Sequence, residues 1–208
     1  MKRPLFLILV LLIPPGAAVA VREYRDYQRY PRRFAEVVPD AIYRGGYPTA
    51  ANIRNLHDEK AIRAVINLTD EKNTPEERAM IKAIERLGVR FFRIKMPGDG
   101  CGDFTSLDMA ADAMANKQNW PLFLHCAAGK QRSNAVTAAY RMKYCGWSFG
   151  RALEELQKKY DLDPKSEQKL CEHLQRYAFW VESHRPLPPP KLRAKLPTGT
   201  STRKEESE

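Results

Sequence analysis

Short apolar runs alternate with amphipathic stretches along most of the chain, from residue 34 to residue 185. Mainly apolar segments of strand length occur at residues 42–44, 64–68, 91–94 and 122–124. Each run is separated from the next by a segment with helical periodicity, and strands that are joined through helices pair in parallel. The pattern therefore predicts one α/β domain with a central, mainly parallel sheet flanked by helices.

The helical segments carry recognisable start and stop signals. Thr74 and Glu77 have the spacing of a capping box, Pro75 occupies the first helical position, and Gly88 ends the same segment. We expect helices over residues 49–60 and 148–160, and further helices that begin near Thr74, Thr105, Asn134 and Asp163.

The nine residues 125–133 have the sequence His-Cys-Ala-Ala-Gly-Lys-Gln-Arg-Ser and join the apolar run 122–124 to the helix that follows. Backbone amides in such a loop have no strand partner. The first turn of a helix adds more unpaired N–H groups and the positive end of the helix dipole. An oxyanion can satisfy all of them. We therefore expect phosphate to bind the loop residues Ala127, Ala128, Gly129, Lys130, Gln131, Arg132 and Ser133.

Cys126 and Arg132 give this loop the means for chemistry. Helix N-termini and nearby cations lower the pKa of a cysteine from about 8.5 to roughly 3.5–7.5, and the resulting thiolate can attack phosphorus. Arg132 offers a planar guanidinium that can hold two phosphoryl oxygens at once. Ser133 can donate a hydrogen bond to the thiolate and so make sulfur a better leaving group in a second, hydrolytic step.

Residues 125–133 resemble the signature of the cysteine-based protein tyrosine phosphatase superfamily, which is His-Cys, five residues, Arg, then Ser or Thr. Residues 34–48 and 65–68 are similar to weaker motifs of its dual-specificity-phosphatase-like branch, and they widen the resemblance to about 150 residues. Asn134 departs from the family pattern, which usually has glycine at that position.

The resemblance implies the protein tyrosine phosphatase-like fold and hydrolysis of phosphomonoesters through a phosphocysteine intermediate, without a metal or other cofactor. Phosphotyrosine, phosphoserine or phosphothreonine in proteins are the expected substrates. One alternative is a phosphoinositide or other non-protein phosphatase, because lipid-phosphatase relatives carry a lysine at the position of Lys130. Another is a catalytically silent module that binds phosphorylated ligands, and Asn134 is the residue that supports it.

The loop between the runs 91–94 and 122–124 offers the proton donor that ester cleavage needs. Asp99 and Asp103 lie there among glycines. In related phosphatases the general acid is an aspartate on the loop after the strand that precedes the signature strand, and Asp99 matches that position better than Asp103. Both aspartates could instead be turn formers. We expect Asp99 to protonate the leaving oxygen and then to activate water.

Spacing disfavours other phosphate and metal sites. Gly129 and Lys130 are followed by Gln131, and the earlier glycine of a Walker A loop is missing. His125 is expected to orient the loop from behind Cys126 through hydrogen bonds. The remaining histidines lack the partner spacing of a metal site and are His57, His173 and His184.

The N-terminus has the pattern of an export signal. Lys2 and Arg3 precede the apolar residues 5–13, and the small residues 18–20 suit cleavage by signal peptidase. The apolar run is shorter than the about 20 residues that span a bilayer. We expect a signal peptide over residues 1–20 and a secreted or periplasmic protein with no stable membrane span. The alternative is anchoring by an uncleaved N-terminal segment.

The formal net charge of +10 suits anionic substrates, but it does not choose among phosphorylated proteins, lipids and small molecules. Residues 21–33 mix arginines with tyrosines, and we interpret them as a solvated basic arm rather than a segment that binds nucleic acid. Residues 186–208 are rich in Pro, Lys, Ser and Thr and are interpreted as a disordered tail. We expect a monomer.

The four cysteines raise the question of redox state. A thiolate at Cys126 is readily oxidised, and export would place it where disulfides persist. Cys101 lies close to Asp99 in sequence and could form a protective disulfide with Cys126. Cys145 and Cys171 lie on different predicted helices and could form a bridge or remain free thiols in the core.

Overall fold

The computed structural model describes residues 29–184. The signal peptide expected over residues 1–20 and the tail expected over 186–208 lie outside the described residues, as do residues 21–28 of the basic arm. Among the residues described, no helix has the length and apolar character that a membrane span requires.

Within residues 29–184, the centre of the domain is a sheet of five strands, β1 (Ala35–Val38), β2 (Ile42–Gly45), β3 (Ala64–Asn67), β4 (Arg90–Arg93) and β5 (Leu122–His125). The strand order is β1-β2-β5-β3-β4. β1 pairs antiparallel with β2, and every other neighbouring pair is parallel. The predicted α/β fold with a mainly parallel sheet is confirmed, and β5 lies at its centre.

The described residues also form six α-helices, which are α1 (Ala50–Lys60), α2 (Pro75–Arg86), α3 (Phe104–Ala115), α4 (Gln131–Tyr144), α5 (Phe149–Lys159) and α6 (Gln168–His184). Thr49 caps α1 and Ser148 caps α5, so the helices predicted over residues 49–60 and 148–160 are present. Residues 35–38 pair as β1, a short edge strand that the apolar pattern does not reveal.

The start of α6 differs from the sequence prediction. Asp163 and Pro164 predict the beginning of a helix, but α6 begins at Gln168. The Asp163 carboxylate instead accepts hydrogen bonds from the Lys165 amide (3.0 Å) and the Ser166 hydroxyl (2.8 Å). These local bonds compete with helical ones and close a turn ahead of the helix.

The capping box predicted for α2 forms only in part. Thr74 accepts a hydrogen bond from the Glu77 amide (3.2 Å). The buried Glu77 carboxylate does not return this bond, because it accepts from the amides of Lys72 (2.5 Å) and Asn73 (2.7 Å) and from the Arg93 guanidinium (3.1 Å). Glu77 therefore connects α2 to the end of β4.

Two apolar layers hold β5 from opposite faces. Leu122 and Leu124 pack in the layer that contains the buried residues of α3, α4, α5 and α6. Phe123 points the other way, as alternation along a strand requires, and packs with α1 and α2. All three side chains are fully buried. The segment that follows β5 therefore starts from a rigid point in the middle of the domain.

One buried ion pair connects the helical layer to the edge of the sheet. Arg141 on α4 binds both carboxylate oxygens of Glu155 on α5, at 2.8 Å each. The same guanidinium donates to the carbonyl of Val37 in β1 (2.6 Å). Both side chains are nearly inaccessible, so removal of one partner leaves an uncompensated buried charge.

We predict that Glu155→Gln lowers the free energy of unfolding by about 3 kcal/mol, because Arg141 then stays buried without its counter-charge. The neighbouring Glu154 pairs with Lys158 at the surface, and Glu154→Gln is the matched control. It should change stability by less than about 0.5 kcal/mol. Urea unfolding of both variants measures the difference, and equal effects would contradict a structural role for the buried pair.

Candidate active site

The segment 126–130 connects the end of β5 to α4 and forms a tight loop around the Cys126 sulfur. Cys126 is 2% exposed, and its Sγ accepts a hydrogen bond from the Gly129 amide at 3.2 Å. Gly129 has φ +69°, and a Cβ there would lie 2.6 Å from the backbone of Gly45 and Gly46. Only glycine fits this position, where the loop rests directly on the end of β2.

The surroundings of Cys126 favour its thiolate. Burial alone would raise the pKa of the thiol. The nearby Ser133 hydroxyl and the amides of Ser133 and Lys130, with the charge of Arg132, nevertheless hold that pKa below its ordinary value. The buried Ser133 hydroxyl has no hydrogen-bond partner of ordinary geometry within residues 29–184, so its proton is available to sulfur. The arrangement therefore favours the nucleophilic form of this cysteine.

Arg132 lies in the first turn of α4 with its Nε buried and without a hydrogen-bond partner among the described residues. Buried polar atoms are normally paired, and those that are not often mark the place of a ligand. A phosphoryl group above Cys126 would supply the missing acceptor, since guanidinium geometry matches two phosphate oxygens. Cys126, Arg132 and Ser133 are thus brought together around one point.

The carbonyl groups of the loop are directed away from the Cys126 sulfur. They are bound by residues that were not identified from the sequence. Arg44, at the end of β2, donates to the carbonyl of Gly129 at 2.9 Å and is 1% exposed. Arg32 donates to the carbonyl of Ala127 (2.9 Å), which also accepts from the Tyr47 amide (3.2 Å). A further bond joins Arg33 to Ala128 (3.2 Å). The sequence signals for these residues were the weak motif at residues 34–48 and the arginines of the basic arm at residues 21–33.

His125 lies behind the loop, as its position before Cys126 suggests. Its ring is fully buried, stacks on Phe123 (5.8 Å between centroids) and meets the Tyr47 ring edge-on (5.3 Å). Burial lowers the pKa of His125 to about 3, so the ring is neutral. Both ring nitrogens are buried without a hydrogen-bond partner in the described part of the chain, so aromatic packing fixes the ring.

The loop with Asp99 packs against the Cys126 loop. Gly100 has φ +79°, and a Cβ there would lie 2.8 Å from the carbonyl oxygen of Gln131. Asp99 accepts hydrogen bonds from the Cys101 amide (2.9 Å) and from Lys169 on α6 (2.5 Å). A cavity of about 280 Å³ lies here, lined by Gly98, Asp99, Gln131, Ser166, Glu167, Lys169 and Leu170.

The contacts of Asp99 favour its carboxylate form. The hydrogen bond from Lys169, followed by that from the Cys101 amide, lowers the pKa of Asp99 below its ordinary value. A general acid must carry a proton, so this ion pair opposes the role expected for Asp99 unless the pair opens. Lys130 also forms an ion pair, since its Nζ lies 3.6 Å from the Glu167 carboxylate.

The second aspartate of this loop has a structural role. Asp103 caps α3 by accepting hydrogen bonds from the Ser106 amide (2.7 Å) and hydroxyl (2.8 Å). This is the turn-forming alternative considered for it. Asn134, at the position where the resemblance leads one to expect glycine, is fully buried and donates to the carbonyl of Tyr160 at 3.3 Å.

All four cysteines are free thiols in this structure. Burial is the main cause that raises the pKa of Cys101 and of Cys171. The pKa of Cys126 is therefore shifted in the opposite direction to the pKa values of Cys101 and Cys171. Within residues 29–184, no group of three or more His, Cys, Asp or Glu side chains is placed to hold a metal ion.

Three relatives illustrate what the chain is similar to. Inositol diphosphatase SIW14 of Saccharomyces cerevisiae is 26% identical over 130 residues, covering 60% of this chain and 44% of the yeast protein. Inositol diphosphatase DSP3 of Arabidopsis thaliana is 30% identical over 132 residues, with 59% and 60% covered. Dual specificity protein phosphatase TpbA of Pseudomonas aeruginosa is 25% identical over 117 residues, with 56% and 50% covered. The chain thus matches less than two thirds of each relative.

The fold has counterparts among solved structures. The core catalytic domain of yeast SIW14, a PP-IP phosphatase crystallised with citrate, superposes with a TM-score of 0.57 at 22% identity, covering 75% of this chain and 96% of that one. The predicted protein tyrosine phosphatase-like fold is thereby confirmed. The family model described as "Tyrosine phosphatase family" matches residues 30–187, which include the whole sheet and the Cys126 loop. The chain therefore belongs to the tyrosine phosphatase family.

Proposed function

We propose that this protein hydrolyses phosphate esters or anhydrides by transferring the phosphoryl group to Cys126 and then to water. The observation that carries this proposal is the single point where Cys126, whose pKa is lowered, meets the inward loop amides and Arg132, whose buried Nε has no partner within residues 29–184. Such a site stabilises a transferring phosphoryl group by position and charge. A silent binding module would not need the thiolate that the surrounding hydrogen bonds favour.

The reaction has two steps. The Cys126 sulfur attacks phosphorus, the bond from phosphorus to the leaving oxygen breaks, and that oxygen takes the electron pair. Arg132 and the loop amides hold the other phosphoryl oxygens. Water then attacks the phosphocysteine, the sulfur–phosphorus bond breaks, and Ser133 stabilises the released thiolate. Asp99 is the candidate that donates a proton in the first step and accepts one in the second.

The Asp99–Lys169 ion pair favours substrates whose leaving group needs little protonation. An alkoxide leaving from phosphoserine requires a proton donor, whereas a phenolate or a phosphate departs more readily without one. We propose inositol diphosphates as the first substrate class, because phosphate is the leaving group there and because two relatives are named inositol diphosphatases. Phosphotyrosine in proteins is the second candidate, favoured by the similarity to TpbA.

Export is a further proposal. It rests on the N-terminal pattern of Lys2 and Arg3, the apolar residues 5–13 and the small residues 18–20. An exported enzyme would meet extracellular or periplasmic phosphate compounds, and phosphorylated proteins, lipids and small molecules all fit its positive charge.

We predict that a diphosphoinositol polyphosphate and a phosphotyrosine peptide are both turned over faster than a phosphoserine peptide of the same sequence. The diphosphoinositol polyphosphate should have the highest kcat/KM when phosphate release from the three substrates is measured at the same pH.

Cys126→Ser should reduce every activity below about one-thousandth of wild type, because the nucleophile is lost. Binding of vanadate should persist, since the amide cradle and Arg132 remain. Metal-independent turnover by the serine variant would contradict the mechanism.

We predict that Lys169→Met raises kcat/KM for the phosphoserine peptide between pH 5 and 6 by about three- to tenfold, with an aryl phosphate changed less than about twofold. Without Lys169 the pKa of Asp99 rises, so more Asp99 carries the proton that an alkoxide needs. Lys165→Met is the control, because Lys165 is exposed nearby without binding Asp99. If Lys169→Met leaves the ratio of kcat/KM for the two substrates unchanged, Asp99 is not the acid.

A further inference from the structure

Three successive carbonyl groups in the Cys126 loop, at residues 127–129, each accept a hydrogen bond from a different arginine. The arginines come from two separate parts of the chain, the basic arm and the end of β2. The bonds are Arg32 Nη2 to Ala127 O (2.9 Å), Arg33 Nη1 to Ala128 O (3.2 Å) and Arg44 Nη2 to Gly129 O (2.9 Å).

The peptide geometry makes these bonds relevant to sulfur. In a trans peptide the C=O and N–H groups point in opposite directions, so a carbonyl held outward turns its N–H inward. Arg33 binds the carbonyl of Ala128. The same peptide group carries the N–H of Gly129, whose nitrogen lies 3.2 Å from the Cys126 sulfur. Arg44 binds the carbonyl of Gly129. The same peptide group carries the N–H of Lys130, which also stabilises the thiolate.

Arg44 is a buried cation without a carboxylate bound to it in the described part of the chain. Its remaining contacts are the Thr137 hydroxyl (3.3 Å) and the Tyr160 ring, whose centroid lies 4.3 Å from the guanidinium carbon. Burial lowers the pKa of Arg44 to about 10, so it stays charged at neutral pH. A buried charge is costly unless an anion or strong acceptors compensate it. The Cys126 thiolate is one such anion, and the carboxylates of Glu155 and Asp161 also favour the charge of Arg44.

The end of the arm is also held by Gly46, which follows β2, and by Asp161. The Gly46 amide donates to the carbonyl of Arg32 (2.8 Å), and a Cβ on Gly46 would lie 2.6 Å from Arg32 Cγ. Arg33 also pairs with Asp161 at 3.2 Å. These contacts bring the last residues of the arm onto the outer side of the loop, where the carbonyl groups of Ala127 and Ala128 accept their bonds.

We propose that Arg32, Arg33 and Arg44 are positioning residues that hold the loop carbonyls outward, so that the opposite N–H groups face the Cys126 thiolate and the phosphoryl oxygens. The proposal rests on the proposed phosphatase function and goes beyond the nucleophile, Arg132 and Asp99. None of the three arginines has to touch substrate. Their effect reaches the reaction through the peptide groups that they turn.

The test compares Arg44→Met, Arg44→Lys and Arg33→Met with wild type. Alkylation of Cys126 by iodoacetamide, followed by peptide mass spectrometry, gives the pH midpoint of the thiolate in each protein. We expect Arg44→Met to raise this midpoint by about one pH unit and to lower kcat for p-nitrophenyl phosphate about tenfold. Arg44→Lys keeps the charge without the planar fork and should fall between Arg44→Met and wild type. Arg33→Met should raise the midpoint by a smaller amount.

Asp161→Asn is the matched control, because it removes the ion pair of Arg33 but leaves the bond to the Ala128 carbonyl. It should not move the midpoint. Thermal unfolding identifies variants that are merely less stable, and if Arg44→Met does not fold, Arg44→Lys and Arg33→Met decide. Folded arginine variants with the wild-type midpoint would overturn the proposal, even with a lower Tm. A wild-type midpoint no lower than that of an ordinary cysteine would instead contradict the proposed function itself.

Discussion

The conformation of the peptide groups between Cys126 and Gln131 is the constraint on which the rest of the site depends. Their N–H groups must converge on one point to stabilise both a thiolate and a phosphoryl group, and their carbonyl groups must then be satisfied elsewhere. The Gly129 amide, 3.2 Å from the Cys126 sulfur, shows this inward orientation directly. Glycine at φ +69° and the close contact with Gly45 and Gly46 make the turn possible.

The fold provides the rigid support that such a loop requires. β5 is the central strand, with β2 and β3 paired to it on either side and apolar layers on both faces. The loop thus begins from a backbone that cannot shift without disturbing the core. Its far end is the first turn of α4, whose free amides and dipole add to the attraction for an oxyanion.

The sequence predicted which groups of the loop come together because they lie within nine residues. It did not predict the partners of Arg44, since Arg44 and Gly129 are separated by 85 positions and only the pairing of β2 with β5 brings them together. The Asp99–Lys169 ion pair has the same origin, because α6 docks beside the Asp99 loop only in the folded chain. The fold class followed from periodicity, whereas β1 was missed as a four-residue edge strand.

We infer that phosphoryl transfer passes through Cys126. The most direct measurement mixes the protein with p-nitrophenyl phosphate, quenches the reaction in acid within milliseconds, and maps phosphate on the chain by mass spectrometry. We expect a burst of one nitrophenolate per active site, with phosphate on Cys126. Phosphate on another residue, or continuing turnover with no phosphorylated protein at any time after mixing, would rule this out.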